Sequence, residues 1–285
     1  IMKKINLNQL QGKDISEVIS FADRLFNENL EGKINAHYIY NTCLEQIPNN
    51  YSYPNTRIRG MVRQKIWNTE KYFNWNQDFF SQSGQDKCVK NFFFKNLKNG
   101  FFVEIGAYDG IKGSNCFFFE KFMNWKGIAI EASPLNFQKL TQNRNCICIN
   151  KAISNNIEKK EFIEVISGYT GMSGIKTEEY KKTLNIINKD SRSKINKLIV
   201  ETSTFKDIVN KNTVIDYLSI DIEGDEMKVL ESIDFNYFDI KVVSVENNNS
   251  EQKNLFNFFK DREFNYFDNY GVDEIYYNKK YFNYL

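Results

Sequence analysis

Acidic residues in or directly after short apolar runs are the side chains of this sequence best placed to do chemistry. The runs are FFVEIGAYDG (101–110), KGIAIEAS (126–133), SIDIEGDE (219–226) and IKVVSVEN (240–247). Their acids are Glu104, Asp109, Glu131, Asp221, Glu223 and Glu246. Carboxylates can accept hydrogen bonds from hydroxyl groups, take up a proton or bind a hard cation. The sequence therefore predicts a polar site at the ends of these runs.

The glycine loop of the first run predicts a ligand that carries positive charge. Gly106 and Gly110 would let the backbone approach a ligand closely. The dinucleotide fingerprint G-x-G-x-x-G would need a glycine at position 108, which Tyr108 occupies. Glu104 and Asp109 flank the loop and would repel a pyrophosphate. S-adenosylmethionine has a sulfonium and an α-amino group, so the loop favours this cofactor over NAD.

Glu131 ends the second run, where a carboxylate can accept hydrogen bonds from the hydroxyls of a ribose. S-adenosylmethionine and NAD would both use this acid, so only the loop discriminates between them. The alternative is a tight turn between a strand and a helix, with a solvated Glu131 beside it.

The acids of the third and fourth runs are candidates for catalysis. Methyl transfer to a hydroxyl group needs an aligned acceptor and a group that removes its proton. Strand alternation predicts Asp221 and Glu223 on one face, and Glu246 ends the neighbouring strand. These carboxylates predict either a general base whose pKa like charges raise, or a site for Mg²⁺ or Mn²⁺. The alternative to catalysis or metal binding is that some of these acids cap a helix that begins near Asp225.

The pattern of apolar runs predicts an α/β fold with a mostly parallel sheet. From about residue 85, short apolar runs alternate with amphipathic segments, which is typical of βαβ units. Ser133 as N-cap and Pro134 at the first helical position support one such junction. The expected strands are 100–107, 126–133, 146–153, 216–223 and 240–247, and the expected helices are 114–122, 134–143, 225–233 and 250–261.

Three further segments complete the predicted organisation. Residues 1–80 are more polar, contain a proline-interrupted stretch at 48–56, and are expected to form a helical appendage to a main domain at 81–285. Residues 155–203 interrupt the alternation, which predicts an inserted strand pair and loop. Residues 264–282 are expected to close the chain as an antiparallel pair of strands.

Composition narrows the class of protein. The 38 basic and 36 acidic residues are well mixed and give a net charge of +2, which argues against a nucleic-acid partner. Five cysteines, three of them in apolar runs, indicate a reducing compartment without a disulfide framework. No apolar stretch is long enough to span a membrane and the N-terminal segment lacks the core of a signal peptide, so we expect a cytoplasmic location. The oligomeric state is not predicted.

Eight segments together resemble the FkbM-type methyltransferase family, in the family's order, over about residues 80–280. They are SQSGQDKCVKNFFF (81–94), FFVEIGAYDGIKGSNCFFFEK (101–121), WKGIAIEASP (125–134), NKAIS (150–154), GMSGI (171–175), TFKDIV (204–209), IDYLSIDIEGDEMKVLESIDF (215–235) and VVSVENNNSEQ (242–252). The resemblance implies a class I, Rossmann-like methyltransferase fold with seven strands, the last of them antiparallel. It also implies S-adenosylmethionine as cofactor and O-methylation of a sugar, a glycan or another small hydroxylated molecule.

The resemblance further implies which residues contact the cofactor. The loop around its methionine part corresponds to Glu104, Gly106, Ala107, Asp109 and Gly110, and the start of the following helix to Ser114 and Asn115. Glu131 corresponds to the ribose-binding acid, and Ala152 lies in the segment that lines the adenine. Ala132 and Asp221 complete the implied contacts.

The sequence departs from the family at two positions. The family often has a histidine after the Glu-Gly of the fourth-strand motif and another after the fifth-strand glutamate, where this chain has Asp225 and Asn247. The single histidine of the sequence, His37, lies in the appendage. The leading prediction is an O-methyltransferase. An NAD-dependent oxidoreductase on a similar sheet and a non-catalytic glycan-binding module that kept the fold are the alternatives.

Overall fold

The computed structural model describes residues 14–248 and 254–283. The first 13 residues of the predicted appendage, the start of the predicted helix 250–261 and residues 284–285 lie outside the described residues. The helices are α1 (Ile15–Glu28), α2 (Leu30–Gln46), α3 (Asn55–Tyr72), α4 (Gln85–Phe92), α5 (Phe117–Met123), α6 (Pro134–Asn143), α7 (Lys181–Lys189), α8 (Phe205–Ile208), α9 (Glu226–Ser232) and α10 (Asn254–Lys260). The strands are β1 (Phe101–Ile105), β2 (Lys126–Ile130), β3 (Ile147–Ile149), β4 (Ala152–Ile153), β5 (Lys159–Ser167), β6 (Gly174–Ile175), β7 (Lys194–Ser203), β8 (Val214–Ile220), β9 (Asp239–Glu246), β10 (Phe264–Tyr270) and β11 (Asp273–Asn278).

The central sheet confirms the predicted fold class. Within the part of the chain that the structure describes, seven strands pair in the order β3-β2-β1-β8-β9-β11-β10. β11 runs antiparallel to both of its neighbours, and the five strands on the other side of it are parallel to one another. Alternate residues of β1 enter the two layers of core, with Val103 on one face and Phe102 on the other. The long apolar runs of the sequence form strands that are buried on both faces.

The carboxyl ends of two predicted strands differ from the expectation. The strand predicted over 216–223 ends at Ile220, because the next residues turn toward α9, where the backbone N–H of Gly224 donates to Glu226 (2.7 Å). Glu223 has a φ of +63°, which no strand residue adopts. The strand predicted over 146–153 is divided into β3 and β4, because β4 leaves the central sheet to pair with β7.

The inserted segment forms a second sheet. In the described ranges its strands pair in the order β4-β7-β5-β6, with a long antiparallel pair of β5 and β7. The turn at 170–172 reaches the glycine loop of the main sheet, where the Thr170 and Tyr108 hydroxyls are hydrogen-bonded at 2.6 Å. The insertion therefore supplies one wall above the edge of the central sheet.

The N-terminal helices are present as predicted and dock firmly on the sheet. The side chains of Asp14 and Asn29 cap α1 and α2, because each accepts a hydrogen bond from a backbone N–H in the first turn of its helix. Arg59 on α3 donates two hydrogen bonds to the buried carboxylate of Asp268 on β10 (2.7 and 2.6 Å). The carbonyl of Gly60 accepts from the N–H of Gly271 (3.1 Å). The division of the chain at residue 80 stays a prediction, because α3 is bonded closely to the domain beyond it.

No helix among the described residues has both the length and the apolar character needed to cross a membrane.

Candidate functional site

Two adjoining cavities open at the carboxyl edge of the central sheet, where ligands of open α/β sheets bind. The first, of about 500 Å³, lies among the loops after β1, β2 and β8, and we call it the loop cavity. The second, of about 630 Å³, lies between α3 and the ends of β9 and β11, and we call it the helix cavity. Asp221 lines both. The loop cavity is also lined by Gly106, Ala107, Tyr108, Ser114, Glu131, Ala132, Ala152 and Glu223, and the helix cavity by Arg57, Gln64, Gln85, Asn115, Glu246 and Asp273.

The glycine loop is held against the protein's own backbone. Gly106 has a φ of +87°, and a Cβ there would overlap the carbonyl oxygen of Asp221. The N–H groups of Gly106 and Ala107 both donate to the carbonyl of Ile130 at 3.0 Å. Gly106 therefore lets the end of β1 approach the end of β8 closely, and it lines the loop cavity together with Ala107 and Tyr108.

The two acids that flank the loop support it from behind, which corrects the charge argument made from the sequence. Glu104 is buried and lines neither cavity; its carboxylate accepts from Arg144 (2.8 Å), Ser114 (2.8 Å) and the N–H of Asn115 (2.9 Å). Asp109 accepts from backbone N–H groups two and three residues ahead. Both oxygens of Glu104 are hydrogen-bonded within the protein and Asp109 is bonded through Oδ1. Neither acid lines a cavity in which it would face a cofactor's positive charge.

Gly110 lies on the same far side of the loop. A Cβ there would be 2.7 Å from Cγ of Arg144, and its φ of +84° is left-handed. Gly110 therefore gives Arg144 room to reach Glu104, and it lines neither cavity.

Glu131 lines the loop cavity and is fixed by two backbone donors. Its carboxylate accepts from the N–H of Tyr108 (2.9 Å) and of Ser133 (2.7 Å). Burial raises its pKa from 4.5 to about 7. The predicted contacts Ala132 and Ala152 line the same cavity. An acid and an apolar patch therefore lie together at the end of β2.

The predicted catalytic acids come together where the two cavities meet. Carboxylate oxygens of Asp221, Glu223 and Glu246 lie within 4.8 Å of one another, and we call these residues the carboxylate cluster. Burial, followed by like charges, raises the pKa of all of them, to about 7 for Glu223 and well above the usual value for the other two. The alternation argument was wrong for Glu223, since the residue lies on a loop, yet the loop brings it back to the cluster.

Asp273 is a fourth acid at this place, which the sequence analysis missed. It begins β11 and pairs in register with Glu246. Nε2 of Gln85 donates to its Oδ2 at 2.9 Å, and burial raises its pKa to about 6. No spacing pattern in the sequence marks Asp273, because the position depends on β11 inserting between β9 and β10.

Asp225 and Asn247 stand at the two positions where the resemblance leads us to expect histidines, and both are hydrogen-bonded within the protein. Asp225 pairs with Lys228 (2.7 Å), and Nδ2 of Asn247 donates to Glu274 (2.7 Å). His37 lies on α2 near Glu70 and lines neither cavity. Asp225 is the N-cap residue of α9 and makes no side-chain cap hydrogen bond, while Glu226 accepts from the N–H of Gly224 in the preceding turn (2.7 Å). The carboxylate cluster therefore does not cap this helix.

The strand order and the cavities at the ends of β1 and β2 define a methyltransferase-type α/β protein. Residues 104–269, more than half of the chain, match the family model for the methyltransferase FkbM domain. The chain belongs to this family. A comparison with curated protein sequences found no match.

Three solved structures that are similar to this chain are distant from it in sequence. Methyltransferase FkbM from Methylobacillus flagellatus KT is 10% identical with a TM-score of 0.40, over 84% of this chain and 57% of that chain. The chain therefore spans little more than half the length of that protein. A methyltransferase from Pyrococcus furiosus is 16% identical with a TM-score of 0.33, over 67% of this chain and 82% of that one. A mutant of MtNAS, solved in complex with S-adenosylmethionine, is 10% identical with a TM-score of 0.33, over 95% of this chain and 94% of that one.

Proposed function

We propose that the protein transfers a methyl group from S-adenosylmethionine to a hydroxyl group of a sugar, a glycan or another small hydroxylated molecule. The observation that carries the proposal is the position of Asp221, which lines the loop cavity and the helix cavity alike. A donor in one cavity and an acceptor in the other would meet at the carboxylate cluster. The family supports methyl transfer as the reaction.

The residues of the loop cavity fit the proposed cofactor. Glu131 keeps its carboxylate in the cavity, where it can accept from ribose hydroxyls, and Ala132 and Ala152 provide small apolar contacts for an adenine. Ser114 lines the same cavity and can donate to a carboxylate through its hydroxyl only by releasing Glu104. When bound, S-adenosylmethionine supplies an electrophilic methyl group on its sulfonium.

The chain's own residues have to align the acceptor and remove its proton. An acceptor hydroxyl in the helix cavity would lie beside Asp221, Glu246 and Asp273. The raised pKa values of these acids bring them nearer to the range in which a carboxylate works as a base. The carboxylates can act as the base directly, or they can hold a Mg²⁺ or Mn²⁺ ion that binds the acceptor oxygen.

The other assignments in this proposal rest on more general features. All five cysteines are free thiols, which supports a reducing, cytoplasmic location. The mixed charge supports a small-molecule or glycan acceptor in preference to nucleic acid. Residues 1–80 and 81–285 are proposed as a helical unit and a methyltransferase unit.

Isothermal titration calorimetry with S-adenosylhomocysteine and with NAD tests the cofactor. We expect binding of S-adenosylhomocysteine and none of NAD, because Tyr108 occupies the place of the dinucleotide glycine. Binding of NAD alone would favour the oxidoreductase and reject the proposal.

A methyl-transfer assay on a panel of sugars and glycans tests the reaction. Asp221→Asn is expected to lose turnover, with Asp261→Asn, an exposed acid, as the matched control. Cofactor binding without turnover on any acceptor would favour the non-catalytic module.

A further inference from the structure

The carboxylate cluster has no partners for its oxygens in the described part of the chain. Neither a hydrogen-bond donor nor a basic side chain there is within bonding distance of the carboxylates of Asp221, Glu223 or Glu246. The nearest basic residue on α9, Lys228, pairs with Asp225 and Glu179. Like charges that lie so close together need a positive charge between them or protons.

Other buried carboxylates of this protein are paired, which makes the carboxylate cluster an exception. Asp268 is held by Arg59 and Arg63, and Glu104 by Arg144. Asp86 accepts from the backbone N–H groups at positions 80 and 81. The fold therefore satisfies its buried acids from within the chain at these sites and not at the cluster.

Two residues that line the helix cavity, one of them in the carboxylate cluster, carry buried oxygens without a partner in the described ranges. Glu246 is 8% exposed, and its Oε2 is buried without a hydrogen-bond partner among the described residues. Asn115 is 5% exposed and lines the same helix cavity; its Nδ2 donates to Ser219, while its Oδ1 is likewise without a partner. A cation satisfies acceptor oxygens of both kinds, which another hydrogen-bond acceptor would not.

We propose that Asp221, Glu223 and Glu246 bind one divalent cation at the junction of the two cavities. Carboxylate and amide oxygens are the ligands of hard cations such as Mg²⁺, Mn²⁺ and Ca²⁺. Three oxygens within 4.8 Å of one another lie at most about 2.8 Å from a common centre. Metal–oxygen bonds are roughly 2.1–2.4 Å long, so each oxygen needs to move inward by up to about 0.4–0.7 Å. The ion's role, binding the acceptor oxygen, rests on the proposed function, whereas its binding does not.

Manganese binding tests the site directly, since the electron paramagnetic resonance signal of free Mn²⁺ disappears on binding. The full chain, freed of metal with EDTA, is titrated with MnCl₂ and then challenged with MgCl₂ and CaCl₂. We expect one site per chain that the other ions displace. Glu246→Gln and Glu223→Gln should each weaken Mn²⁺ binding at least about tenfold, and Asp261→Asn, the exposed control, should leave it unchanged.

Thermal unfolding provides a second measurement, with a result that would not be expected if the carboxylate cluster had only a structural role. Mn²⁺ should raise the melting temperature of the wild-type chain by mass action. Glu246→Gln should raise the melting temperature of the metal-free chain, because one of the facing charges is removed, and should abolish the effect of Mn²⁺. Glu223, on a loop, provides the same comparison if Glu246→Gln does not fold.

Several outcomes would overturn the inference. A wild-type chain that binds Mn²⁺ no more tightly than about 1 mM, or variants that bind it as well as the wild type, would reject the site. Calorimetry with S-adenosylhomocysteine separates this failure from that of the proposed function: if the nucleoside binds and Mn²⁺ does not, only the ion is rejected. If Mn²⁺ binds and the nucleoside does not, the ion stands and the methyltransferase proposal fails.

Discussion

Arg144 holds the back of the glycine loop, and its replacement by methionine is predicted to destabilise the protein strongly. The side chain follows α6 and is fully buried. Its Nη1 donates to Glu104 (2.8 Å) and to the carbonyl of Gly110 (3.1 Å), and its Nε donates to Glu120 (2.6 Å). One guanidinium therefore joins the end of α6 to β1, to the loop and to α5.

The expected loss follows from the charges that the substitution would leave behind. Methionine roughly preserves the volume of the aliphatic part of Arg144, but Glu104 and Glu120 would remain buried, at 4% and 9% side-chain exposure, without a cation. Removing one partner of a buried ion pair costs about 3–5 kcal/mol. Glu104 keeps donors from Ser114 and from the backbone, so we expect the lower end, about 3 kcal/mol. This is a large part of the ~5–15 kcal/mol that stabilises a typical domain.

Urea unfolding, followed by tryptophan fluorescence, measures the loss as a difference in the free energy of unfolding. The matched control is Arg192→Met, which removes an exposed pair with Asp190 and should cost under about 1 kcal/mol. The Arg144→Met chain should also bind S-adenosylhomocysteine more weakly, because the loop loses its support. If Arg144→Met and Arg192→Met destabilise equally, the ion pairs behind the loop do not hold it and the reasoning is wrong.

Three further predictions concern the residues of the loop cavity. Burial raises the pKa of Glu131 to about 7, and hydroxyl donors favour the ionised acid. The affinity of the wild type for S-adenosylhomocysteine should therefore rise with pH up to about 7, by up to about tenfold per pH unit. Calorimetry should show an affinity independent of pH for Glu131→Gln, and the same result for the wild type would contradict the ribose role. The same raised pKa makes Glu131 contribute a loss of stability to the free protein as pH rises from 4.5 to about 7. Glu131→Gln should remove this share of the pH dependence and leave the share of the carboxylate cluster. Gly106→Ala should lower the free energy of unfolding in urea by more than about 1 kcal/mol, because the residue has a φ of +87° and its Cβ would overlap a carbonyl. The control is Gly171→Ala, whose Cβ would meet nothing within 4 Å. Equal losses in the two variants would refute the argument.

The parts of the fold that the sequence predicts are those that local pattern determines. β1, β2 and β9 are mostly apolar runs. The Ser133-Pro134 pair starts α6 where expected, with the Ser133 hydroxyl accepting from the N–H of Asn136. The ends of strands depend on what the following turn binds. Ile220 ends β8 because the N–H groups beyond it turn to Glu226, and a run of alternating residues does not reveal that choice.

The residues of the candidate site likewise include some that local sequence pattern predicts and some that it does not. Glu131, Asp221 and Glu246 stand directly after their apolar runs, so the carboxyl edge of a parallel sheet brings them together without further information. Glu104, which flanks the glycine loop, was not placed correctly from the sequence, because its partner Arg144 is 40 residues away in the sequence. Asp273 reaches the site through the insertion of an antiparallel strand. Contacts of this kind depend on tertiary structure and are not visible in residue spacing.

The wall that faces the carboxylate cluster explains why the acceptor is harder to infer than the reaction. The family match covers residues 104–269, and α3 lies outside it. Yet Arg57 and Gln64 of α3 line the helix cavity, and the ion pairs with Asp268 fix the helix in that place. Residues shared with the family can therefore specify methyl transfer, while a helix that the match does not include shapes the helix cavity, in which we propose that the acceptor binds. Differences in acceptor between members of the family should then follow the residues of this wall more closely than those of the loop.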